Sequence, residues 1–277
     1  MLNSVKRGLS SLLFACIVMA SSTTANAETQ PYWFELLSSD MRKDANFYGR
    51  LFEWEVEPME KGYWLFKKDG ETIGAAAPLP QEGNNKTLSF WLMGVPVDDV
   101  ARAGFEAKSQ GAKILQEKSK HPLLGDASII TDPMGTPLLV FGGQAPESQA
   151  GVDRWGWVEL WSKEVDKAIK FYAYSKDVNV RSYKLNGKPY ARMGIDGQLL
   201  GAIAENPMEK SPDLWMPFVR VEDVKSTLDR AAQLGGKVMY AQVGDKESYK
   251  VGLFASPSGA AMLVFSGELK GESNENN

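Results

Sequence analysis

Two short stretches carry the residues best placed to do chemistry. Trp33-Phe34-Glu35 and Trp157-Val158-Glu159 each set a carboxylate two residues after an indole. In a strand that spacing puts both side chains on one face. If the face lines an apolar cavity, burial raises the carboxyl pKa and suits Glu35 and Glu159 to proton transfer. The alternative is a carboxylate bonded to backbone or paired with an arginine, with Arg192 and Arg220 as candidates. That reading is preferred, because buried charges are usually paired. Trp33, Trp91, Trp157 and Trp215 pose the same choice. They either line a pocket for a flat or apolar ligand or pack a core, and large aromatics are more often core.

The 277 residues include one histidine and one cysteine. A zinc site built from His and Cys needs three or four such ligands, so none can form. A disulfide within the chain is excluded too. His121 is the sole candidate base for a nucleophilic triad. It lies in Lys118-Ser119-Lys120-His121-Pro122, which reads as a polar loop, so a solvent-facing histidine without a role is expected. Gly142-Gly143 and Gly235-Gly236 lack the spacing of a phosphate loop. A net charge of −4 without a long basic run argues against nucleic acid.

The first residues read as a targeting segment rather than fold. Lys6 and Arg7 precede an apolar stretch, Leu9 to Ala20, too short to span a bilayer. Ala25-Asn26-Ala27 then fits a signal-peptide cleavage site, with the cut after Ala27. A lipoprotein anchored at Cys16 is the alternative, from Leu13-Phe14-Ala15-Cys16. A secreted or periplasmic chain without membrane insertion is expected. The polar end, residues 267–277, reads as disordered.

The elements that must position these side chains come from an internal repeat. Trp33, Glu35, Phe47, Tyr48, Trp91, Asp99, Gly111, Pro133 and Gly135 all recur 124 residues later. Asp69-Gly70 and Gly74 recur at 127. The mature chain is thus a duplicated α+β module, over residues 28–145 and 152–266. Each copy reads as a strand, a helix and short strands, then the same again: two βαβββ halves. The first helix is expected over Asp40 to Phe52 or Lys163 to Ser175, with Asp40 as N-cap. The second is expected over Asp99 to Gln110 or Asp223 to Leu234, closed by Gly111 or Gly235 in a left-handed conformation.

Three motifs carry a family resemblance: Phe47-Tyr48-Gly49-Arg50-Leu51-Phe52-Glu53-Trp54-Glu55, Val97-Asp98-Asp99-Val100 and Asp132-Pro133-Met134-Gly135. The chain resembles the vicinal oxygen chelate superfamily of glyoxalases, bleomycin-resistance proteins and extradiol dioxygenases over residues 31 to about 266. The resemblance implies paired βαβββ units curling a sheet around a cavity. It also implies metal ligands on the first and last strands, at positions that here read Trp33, Leu139, Trp157 and Leu263. Neither Trp nor Leu ligates a divalent ion. No metal and no cofactor are therefore expected.

These readings converge on an exported, metal-independent binder of a small molecule, with Trp33, Glu35, Trp157, Glu159, Arg192 and Arg220 lining the sites. A monomer or weak homodimer is expected. Two other classes stay open. One is a lyase, isomerase or dioxygenase of glyoxalase type, with a displaced metal site at Glu35 and Glu159 or with none. The other is an interaction protein whose cavities are plugged by side chains.

Overall fold

The computed structural model describes residues 29–30, 33–79, 88–146, 148–195, 198–243 and 249–267. Residues 1–28, where a targeting segment is expected, and the residues after Gly267 lie outside them. The first copy runs β2 (Trp33–Ser38), α1 (Met41–Phe52), β3 (Glu55–Pro58), β4 (Trp64–Lys68) and β5 (Glu71–Pro78). Its second half runs β6 (Phe90–Pro96), α2 (Val100–Ser109), β7 (Lys113–His121), β8 (Gly125–Thr131) and β9 (Pro137–Phe141). The other copy repeats this as β11 (Arg154–Ser162), α3 (Val165–Tyr172), β12 (Asn179–Leu185), β13 (Lys188–Ile195) and β14 (Gln198–Glu205). It ends with β15 (Leu214–Arg220), α4 (Val224–Gln233), β16 (Lys237–Val243), β17 (Tyr249–Ala255) and β18 (Ala261–Phe265). The short strands β1 (Thr29–Gln30) and β10 (Ser148–Gln149) pair with each other.

Each copy forms one open, mixed eight-stranded sheet. The orders are β3-β4-β5-β2-β6-β9-β8-β7 and β12-β13-β14-β11-β15-β18-β17-β16. The two halves of a sheet join through the antiparallel pair β2–β6 or β11–β15, while β2–β5 and β6–β9 are parallel. The α+β fold with tandem modules is as the repeat predicts. The helices start where their caps say: Asp40, Asp99 and Asp223 each accept from a backbone N–H of the first turn. Gly111 and Gly235 close α2 and α4 at φ 94° and 90°. The helix expected over Lys163 to Ser175 is shorter, Val165–Tyr172. No helix among the described residues is long and apolar enough to cross a membrane.

Strand alternation divides the apolar residues between two kinds of core. Trp33, Leu37, Leu65, Ala75, Leu92, Leu139 and Phe141 pack inside the first sheet. Trp157, Trp161, Tyr190, Met216, Phe218 and Leu263 pack inside the second. The opposite faces share one core with the helices, holding Phe34, Trp91, Trp155, Val158 and Trp215. The repeated tryptophans are therefore split: Trp33 and Trp157 point into the sheets, and Trp91 and Trp215 into the shared core.

Phe47-Tyr48 and Phe171-Tyr172 are docking residues between the copies. Tyr48 donates its hydroxyl to the Ala260 carbonyl at 2.9 Å, and Tyr172 donates to Asp132 Oδ2 at 3.3 Å. Burial holds both phenols protonated. Phe47 lies so close to Gly236 that a Cβ there would sit 2.8 Å from its ring.

β11 is irregular. Trp155 and Trp157 are two apart, yet one faces the shared core and the other the sheet interior. The pairing register with β15 shifts between them, and a bulge of that kind reverses the alternation. Only glycine fits at the bulge, because a Cβ on Gly156 would lie 2.5 Å from the Phe265 ring.

Candidate functional site

The site in the first copy is built around Glu35, near the middle of β2. Its neighbours across the sheet are Ala75 on β5 and Leu92 on β6. The carboxylate is 4% exposed, so its charge needs internal donors. Three are present. Trp33 Nε1 donates at 3.1 Å, the Tyr63 hydroxyl at 2.7 Å, and His121 Nε2 lies at 2.6 Å, all on Oε1. Tyr63 is held well above its ordinary pKa by burial and by the Glu35 charge, so it remains a donor.

The histidine tautomer follows from its other contacts. His121 Nδ1 accepts from the backbone N–H groups of Leu123 and Leu124, both at 3.1 Å. A nitrogen that accepts twice carries no proton, so the proton of the neutral ring sits on Nε2 and points at Glu35. Protonating Nδ1 would set an N–H against two other N–H groups.

This corrects the expectation for His121. The residue ends a strand, not a loop, and its side chain is 10% exposed. The physical reason lies in the turn after β7. Leu123 and Leu124 bend back into the sheet, Leu124 is fully buried in the interior cluster, and the turn carries the imidazole inward. Lys118 and Lys120 stay exposed and pair with Asp126 on β8. They occupy an edge strand, where lysines discourage further pairing.

Around Glu35 the expected metal positions do come together. Trp33 on β2 and Leu139 on β9 both neighbour Gly94 on β6. The indole of Trp33 lies across that glycine, and an added Cβ there would sit 3.0 Å from Trp33 Cδ1. Trp157, Phe218 and Leu263 form the equivalent row in the second copy. Among the described residues no group of three His, Cys, Asp or Glu is arranged to hold an ion. The donor set at this place does not fit the metal of the family.

The second copy is related but not the same. Glu159 is fully buried and accepts from Trp157 Nε1 at 3.3 Å and Trp161 Nε1 at 2.9 Å. Arg192 and Glu159 both neighbour Ala202, so they share a face, and the guanidinium lies 5.8 Å from the Tyr183 ring centroid. Arg220 stands apart at the end of β15, where its carbonyl accepts from Asp153 N. Neither arginine partners Glu35. Glu35 and Glu159 belong to separate sheet interiors, so one ion could not join them. His121 has Asp245 as its counterpart 124 residues on, which lies outside the described residues.

Tyr63 was not singled out from the sequence. The signal was present, because Tyr63 and Tyr190 match at the same offset of 127 as Asp69-Gly70 and Asp196-Gly197.

Comparison with known proteins agrees with the fold. Residues 31–139 match the Glyoxalase/Bleomycin resistance protein/Dioxygenase superfamily. A Mycobacterium tuberculosis protein named "Putative glyoxylase CFP32" is 27% identical over 245 residues, covering 85% of this chain and 93% of that one. Streptomyces peucetius "Anthracycline biosynthesis protein DnrV" is 26% identical, covering 78% of this chain and 85% of that one. Among solved structures, homoprotocatechuate 2,3-dioxygenase from Brevibacterium fuscum superposes with a TM-score of 0.62 at 14% identity, over 93% of this chain and 86% of that one. At that identity the likeness concerns the fold.

Proposed function

The chain carries a domain of the Glyoxalase/Bleomycin resistance protein/Dioxygenase superfamily, and from that premise we propose that it binds a small molecule inside the first sheet without a metal. The observation that carries this reading is the Glu35 carboxylate. Among the described residues its three donors all fall on Oε1, which leaves Oε2 as acceptor for a ligand hydroxyl or N–H. The side chains packed around it are the apolar residues of the interior cluster, and the Trp33 indole lies across Gly94. A ligand that is mostly apolar and carries one donor matches that lining. The first 27 residues support export, by a signal peptide cleaved after Ala27 or as a lipoprotein at Cys16. The reading carries no cofactor, no nucleic-acid partner, and a monomer or weak homodimer.

A second reading is an enzyme of glyoxalase type. The contact between Glu35 and His121 in a buried position favours it, since such a pair can relay a proton, and so does the name of the mycobacterial relative. Equilibrium dialysis against Mn(II), Fe(II) and Zn(II), with elemental analysis of the retained ions, separates metal-dependent from metal-free action. The metal-free account expects substoichiometric retention of every ion. One retained ion per chain, lost in Glu35→Gln, would put the metal back at the displaced site and overturn it.

A further inference from the structure

The internal repeat allows one copy to be read against the other, and the shared core is not symmetric. On one side it is filled by the Trp155 indole. Trp155 packs against Phe34, Trp54 and Trp91 at centroid distances of 4.7, 5.1 and 5.2 Å. Its Nε1 donates to the Ile73 carbonyl at 2.5 Å. That carbonyl is available because Ile73 is a bulge: Phe66 pairs with Gly74 and Lys67 with Thr72, leaving Ile73 unpaired by β4.

On the other side the same surroundings enclose a cleft. The counterparts of Trp91, Trp54, Phe66 and Ile73 are Trp215, Val178, Met193 and Leu200, and all four line it. Val178 and Met193 are smaller than the rings they replace, which widens the space. The bulge is repeated as well: Met193 pairs with Gly201 and Gly194 with Leu199, so Leu200 is skipped. The position matching Trp155 in the sequence is Pro31, which lies outside the described residues. The cleft has a volume of about 60 Å³, several times what one water requires. Val95, Ile130 and Leu138 form the facing wall.

We propose that this cleft between the two modules is a second ligand site, which takes a planar aromatic compound of indole type carrying a ring N–H. The ring occupies the place that Trp155 occupies on the other side, edge-on to Trp215, and donates its N–H to the Leu200 carbonyl. The site is independent of Glu35 and lies on the opposite face of the sheets.

Saturation-transfer NMR on the full chain with indole and N-methylindole tests this. Indole should bind, and N-methylindole, which cannot donate, should bind about tenfold more weakly, as expected for one lost hydrogen bond. Ala107→Phe, which adds a ring to the cleft wall, should abolish indole binding while the melting temperature is unchanged or higher. Glu35→Gln should leave indole binding as it is. No indole binding would overturn the proposal. Equal binding of the two probes, or binding that survives Ala107→Phe, would overturn it too. A loss in Glu35→Gln alone would place the indole inside the first sheet instead.

Discussion

Trp155→Ala should lower the melting temperature by about 10 °C, the largest drop expected from a single substitution here. Truncating a buried tryptophan costs about 3–5 kcal/mol. For a chain of this size each kcal/mol is worth roughly 2–4 °C. Trp155 is 1% exposed and touches three aromatic rings across the module boundary. Its loss also strands the Ile73 carbonyl. Neighbouring interactions reinforce the junction. Arg154 pairs with Glu71 at 2.6 Å, and Trp54 Nε1 donates to the Asp153 carbonyl at 2.6 Å. The modules should therefore unfold together, in one transition for wild type and variant alike. Two resolved transitions in the wild type, or a shift below about 2 °C in the variant, would mean that the shared core is not what joins them. Thermal unfolding monitored by circular dichroism reads both quantities.

His121→Ala should destabilise the fold by about 2 kcal/mol, because a bond to a buried carboxylate is worth roughly 1.5–3 kcal/mol. The sharper prediction concerns coupling. In a Glu35→Gln background the same substitution should cost less by about 1 kcal/mol, since residues in contact within one hydrogen-bond network couple by roughly 0.5–3 kcal/mol. The Leu123 and Leu124 N–H groups lose their acceptor in both backgrounds, so that contribution cancels in the cycle. Urea unfolding of the four proteins measures it. Strict additivity would mean that the contact between His121 and Glu35 carries no energy of its own.

Most of the architecture was legible in the sequence because the repeat states it twice. Asp99 and Asp223 as caps, Gly111 and Gly235 as helix ends, and the spacing from Trp33 to Glu35 each appear in both copies. The faces were harder. Trp155 and Trp157 reverse the rule of two because of a bulge at Gly156, and no pattern of apolar residues signals that. Whether Trp33 and Trp91 share a face was not legible either: antiparallel pairing places Trp91 opposite Leu36, on the other face from Trp33. His121 was obscured by composition. Its neighbours Lys118 and Lys120 are solvent residues, while Leu123 and Leu124 alone betray that the turn dips inward. The carboxylate's partners could not be read from charge either. An arginine is the usual partner for a buried acid, but Glu35 is held by an indole, a phenol and an imidazole.

The central claim is that the interior of the first module holds an organic ligand on Glu35 without a metal. Native mass spectrometry of the protein taken from its own host tests it most directly. The account predicts a bound organic mass, no bound divalent ion, and loss of that mass in Glu35→Gln. A chain that carries one divalent ion, or whose organic mass survives Glu35→Gln unchanged, would contradict it.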